Sequence, residues 1–136
     1  MKTTNQKIKK YVYNLFGLNI TVDIQHHFYN RAGAKAYPKE KKMIFSLVAL
    51  KQNPFPRYLI WHEVGHLITS KSPIFCVENE VMAQLWAIKE TKRRGYHNLM
   101  KDFINYTKGW GTNSVNSNSI IYSIAKYKIL RELKIK

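Results

Sequence analysis

His62, Glu63 and His66 are the residues whose types and spacing could do chemistry. On a helix, positions i and i+4 stack on one face, so His62 and His66 present two imidazoles toward a single point. A tetrahedral zinc ion takes donors in that arrangement. Glu63 follows about 100° around the helix, where it reaches a water held by the metal rather than the metal itself. Zinc lowers the pKa of such a water to about 7 and polarises a carbonyl, while the glutamate takes the proton and later delivers it to a leaving amine. The set therefore points to metal-assisted hydrolysis of an amide.

A catalytic zinc takes a third protein ligand and keeps one position open. No third histidine follows His66 at short spacing, and Glu78 and Glu80 are the nearer candidates. Two residues apart on a helix is about 200°, so only one of them can face the metal. Glu80 shares its stripe with Ala83, Gln84 and Ala87, whose modest size lets that helix approach the histidine helix closely. Gly65 serves the same purpose, since in a helix it otherwise costs about 1 kcal/mol relative to alanine. Glu78 shares its stripe with Val81, Met82 and Leu85, which reads as core, and belongs at a helix N-terminus where the dipole favours it. Glu80 is the expected ligand.

Tyr96, His97 and Tyr106 are candidates for an oxyanion-stabilising donor, and with nine tyrosines in the chain no single one stands out. Cys76 could occupy the open zinc position in a latent form, but reads better as a buried apolar cysteine. His26 and His27, without a carboxylate pair nearby, read as a strand end. The stretch from Tyr106 to Trp110 could stack a nucleic-acid base, although an aromatic core beside a solvated loop accounts for it as well.

The elements that must position these residues follow from periodicity. Residues 4–16 carry Ile8, Tyr11, Val12, Leu15 and Phe16 at helical spacing, closed by Gly17. Strict alternation over 18–24 predicts a half-buried strand, 34–37 a second stopped by Pro38, and 43–48 a third. Asn30 to Gly33 marks a turn. Pro54 and Pro56 set up a helix over 56–69 that carries the His-Glu-x-x-His set. After a loop at 70–75, helices are expected over 78–94, 97–107 and 118–134, with a polar loop from Gly109 to Ser117. Arg93-Arg94-Gly95 supplies the stop for the first of these. The layout is α+β and shows no repeat or boundary, so residues 1–136 are read as one domain.

The balance of 23 Lys plus Arg against 8 Asp plus Glu, a formal +15, suits a polyanionic partner. Lys, Asn and Ile in excess also follow from an AT-rich coding sequence, without such a partner. The scarce acids are the more informative residues, because Glu63, Glu78 and Glu80 gather near His62 and His66. A single cysteine excludes an intramolecular disulfide framework and suits a reducing compartment. No signal-peptide pattern and no run of about 18 apolar residues is present. The expectation is a cytoplasmic protein without a membrane span.

His62-Glu63-Val64-Gly65-His66 is the motif of zinc metallopeptidases. With Asn79-Glu80-Val81-Met82-Ala83 downstream it resembles the gluzincins, whose third ligand is a glutamate on the next helix. Within that group, Glu80-x-x-Ala83-Gln84-x-Trp86-Ala87 is similar to the signature of the ImmA/IrrE family, peptidases that cleave helix-turn-helix repressors. The chain's size also resembles the minimal stand-alone gluzincins. The resemblance covers roughly residues 33–90, and residues 96–136 resemble nothing nameable. It implies a zincin-like fold, a zinc cofactor, and a protein or peptide substrate of the repressor type. It further implies that the strand at 43–48 pairs with an extended peptide. Many gluzincins carry aspartate where Gln84 stands, so the group behind a ligand histidine would here be an amide oxygen. A rival reading is a basic nucleic-acid-binding or interaction module with a non-catalytic metal site. Ligand count separates the two, because structural zinc sites close with four protein ligands.

Overall fold

The computed structural model describes residues 4–26, 33–52, 55–111 and 117–135. These residues form a mixed α+β structure that divides into two compact units, Met1–Pro73 and Ile74–Lys136.

The first unit begins with helix α1, Thr4–Phe16, which buries Ile8 and Val12 completely. Gly17 ends it with φ 67°, a left-handed conformation that a glycine adopts freely, and its N–H donates to Tyr13 O at 2.9 Å. Three strands follow: β1 at Thr21–Gln25, β2 at Ala34–Tyr37 and β3 at Lys42–Ser46. The sheet order is β1-β3-β2, with β3 parallel to β1 (Thr21 opposite Lys42) and antiparallel to β2 (Ala34 opposite Phe45). The central strand buries Met43, Ile44, Phe45 and Ser46 in succession. A strand covered on both faces has that continuous apolar character rather than alternation.

Two expectations change here. The third strand stops at Ser46 instead of Val48, because Leu47–Gln52 form a short helix, α2. Ser46 caps it: Ala49 N–H donates to Ser46 Oγ at 3.0 Å, the bond that serine makes at a helix start. Being central, β3 also has both edges hydrogen-bonded to other strands. It therefore cannot pair with a peptide, and the sheet's outer strands are β1 and β2.

Helix α3, Arg57–Thr69, buries an unbroken run from Ile60 to Gly65. Trp61 anchors it within the unit: Nε1 donates to Tyr11 OH at 3.0 Å, and the ring meets Phe16 edge-on at 4.8 Å. Gly33, just before β2, lies against the same helix, and a Cβ there would stand 2.7 Å from Leu59 Cδ1. A larger residue there would require the end of the Leu59 side chain to turn aside.

The second unit is three helices: α4 at Val77–Arg93, α5 at His97–Lys108 and α6 at Ser117–Glu132. Helix α4 packs against both others. Its interior includes Ala83, Ala87, Ile88, Phe103, Ala125 and Ile129. Gly95 closes α4 with φ 78°, where Tyr96 N–H donates to Thr91 O and Gly95 N–H to Lys92 O. That pair of bonds is the Schellman arrangement. Among the described residues no helix is long and apolar enough to cross a membrane. His27, the turn at Asn30 to Ala32, and residues 112–116 of the polar loop lie outside the described residues.

Candidate metal centre

Helix α3 is apolar on nearly every side, yet its middle holds three polar residues: His62 is 9% exposed, Glu63 4%, and His66 half-buried. The four-residue spacing does what helical geometry requires, and the two Nε2 atoms stand 3.1 Å apart with ring planes at 89°. Two nitrogens bound to a tetrahedral zinc at about 2.0–2.1 Å would stand roughly 3.3 Å apart. The observed pair is within a few tenths of an ångström of that separation.

The other face of the His66 ring is held as well. Its Nδ1 lies 3.0 Å from Ser70 Oγ, and Ser70 N–H donates to His66 O at 2.9 Å as the helix cap. With Ser70 accepting from Nδ1–H, the lone pair of Nε2 is left for a metal, a form of support common to ligand histidines. Ser70 is a residue that sequence reasoning alone passes over. Its signal is present, since it follows His66 by the same four residues that separate the two histidines.

In the second unit, Glu80 and Glu78 share the first turn of α4. Glu80 is 5% exposed, whereas Glu78 is exposed. Carboxylates are buried rarely and only with partners. Ligand atoms of His62, His66 and Glu80 lie within 4.8 Å of one another, a group that could hold a metal ion. Two imidazoles and a carboxylate are donors that suit zinc.

Gln84 is 1% exposed, and its Nε2 donates to Thr107 Oγ1 at 2.8 Å; Thr107 Oγ1 donates in turn to Phe103 O at 2.7 Å. This chain ties α4 to α5. Tyr96 and His97 stand at the start of α5 and Tyr106 near its end, all exposed. At 1.5 Å per residue, Tyr96 and Tyr106 are about 15 Å apart along the helix, so they cannot serve one oxyanion together. Cys76 is a free, half-buried thiol at the position before α4, and His26 is exposed just past β1.

An ion-pair cluster stands at the far end of α4. Glu90 accepts from Arg93 and from Arg94, the latter through Nε at 2.9 Å. The Arg93 hydrogen bond above all holds the Glu90 carboxyl below its ordinary pKa. Compared with protein-family models, curated proteins and solved structures, the chain matches none of them.

Proposed function

We propose that this chain is a zinc-dependent endopeptidase of the gluzincin type, similar to the ImmA/IrrE family or to the minimal stand-alone gluzincins, acting on a regulatory, repressor-like protein. The observation that supports it most is the grouping of His62, His66 and Glu80, with Glu63 buried one residue along from the first histidine. His62 and His66 would hold the ion through Nε2 and Glu80 through a carboxylate oxygen. When bound, zinc supplies Lewis-acid polarisation of the scissile carbonyl and lowers the pKa of a coordinated water.

The chain's own residues supply the rest. Glu63 accepts a proton on its carboxylate as water oxygen adds to the carbonyl carbon, and passes that proton to the amide nitrogen as the C–N bond breaks. Water and amide become one carboxyl and one amine, with no other reactant. With the ion on Nε2, Nδ1–H of His66 would donate to Ser70 Oγ, which would hold the ring in that orientation. Among the described residues the group holds three protein donors rather than four, the count of a catalytic zinc, which favours hydrolysis over a structural site.

Elemental analysis of the purified protein, followed by digestion of a fluorescently labelled unfolded protein, tests the reading. One zinc per chain is expected, with cleavage lost on chelation and restored by zinc. Protein that takes up no zinc, or cleavage indifferent to the chelator, overturns it.

A further inference from the structure

The outer face of α1 carries a feature that the metal centre does not use. Gln6, Lys9, Lys10 and Tyr13 recur at i, i+3, i+4 and i+7, on the side opposite the buried Ile8 and Val12. The turn at Gly17 brings Asn19 beside them, and the five residues line one shallow groove about 590 Å³ in volume. Tyr13 is 58% exposed, and both lysines and both amides are exposed. The sequence has no acidic residue before Asp23, and Asp23 is itself 4.0 Å from Lys42. The groove is cationic, with an aromatic ring at its edge.

We propose that this groove binds single-stranded nucleic acid. Lys9 and Lys10 meet backbone phosphates, the Tyr13 ring stacks on an unpaired base, and the amides of Gln6 and Asn19 hydrogen-bond to its edge. The chemistry of each residue favours this occupant. Cations bring phosphate, and an exposed ring brings a base, the combination by which single strands are held without sequence preference. A duplex presents phosphates but no free base face for Tyr13. An anionic membrane calls for several large aliphatic or aromatic side chains beside the lysines, and Tyr13 is the one such side chain among these five residues. None of the five residues belongs to the metal centre, so the inference stands apart from the peptidase reading.

Fluorescence anisotropy of a labelled thymidine oligonucleotide, titrated with the full chain at several salt concentrations, tests it. Lys9→Gln/Lys10→Gln should lower affinity at low salt on the order of ten-fold and flatten the salt slope by about 1.4, or about 0.7 for each phosphate no longer neutralised. Tyr13→Ala should lower affinity roughly 5- to 150-fold and leave the slope alone. Lys101→Gln/Lys128→Gln, exposed lysines of α5 and α6 with the same loss of charge, should change nothing. All these positions are on the surface, and an unchanged circular dichroism spectrum verifies folding. The proposal is overturned by absence of binding, by a control variant as weak as the groove variant, by full affinity in Tyr13→Ala, or by duplex bound as tightly as single strand.

Discussion

His66 is held at both ring nitrogens, with Nε2 3.1 Å from Nε2 of His62 and Nδ1 3.0 Å from Ser70 Oγ. A hydroxyl both donates and accepts, so Ser70 can serve either tautomer; a metal at Nε2 would select the one with the proton on Nδ1. Ser70→Ala should therefore lower zinc affinity roughly 10- to 100-fold, the usual scale for the group behind a ligand histidine. The helix cap survives, because Ser70 caps through its backbone N–H. Ser70→Thr keeps the hydroxyl and should recover most of the affinity. Competition against a chromogenic chelator measures both, and an alanine variant that binds zinc like the parent removes the assigned role.

Glu63 is the second test, because the change to glutamine preserves volume at a buried position. Glu63→Gln should retain zinc and the thermal midpoint while cleavage falls by about 10²–10⁴, the contribution typical of a general base. Undiminished turnover in that variant would end the proposed proton transfer.

Glu80 and Glu78 part company in a third measurement. Glu80→Ala removes one of three proposed donors and should weaken zinc binding sharply. Glu78→Ala touches an exposed side chain at a helix N-terminus and should cost only about 0.3–1 kcal/mol of stability. Equilibrium dialysis giving the reverse order would show that the wrong carboxylate has been assigned.

Glu90 sets a pH dependence at the other end of α4. Its pKa is lowered in the fold, foremost by the Arg93 hydrogen bond, so the folded state favours the charged form. The resulting stability is present above the ordinary carboxylate pKa and disappears as the pH falls through the lowered folded value. Glu90→Gln should thus lower the melting temperature near neutrality and converge with the parent in acid. A difference that persists undiminished below that range would exclude the ion pair as its source.

How much of this is legible in the sequence depends on whether the cause is local. The helical period alone puts His62 and His66 on one face, and it separates Glu78 from Glu80 by about 200°; one of those glutamates is buried and the other exposed. The Gly17 and Gly95 stops are equally local, since each needs only a residue that tolerates positive φ. The cap that turns Leu47–Gln52 into a helix is local too, written in Ser46, but the apolar run through Val48 conceals it. Strand order has no local signal. Parallel pairing of β1 with β3 joins segments with β2 between them in the chain, and only packing on both faces makes the last strand central. The Trp61–Tyr11 bond spans 50 residues, and the Gln84–Thr107 bond 23. Each partner is an ordinary side chain until the backbone brings the two together. Sequence by itself thus determined which residues could act as ligands and base, because side-chain chemistry and helical period are properties of a short segment. Tertiary structure alone decided that β3 has no edge to offer a peptide, because hydrogen bonds from both neighbours are a property of the assembled sheet.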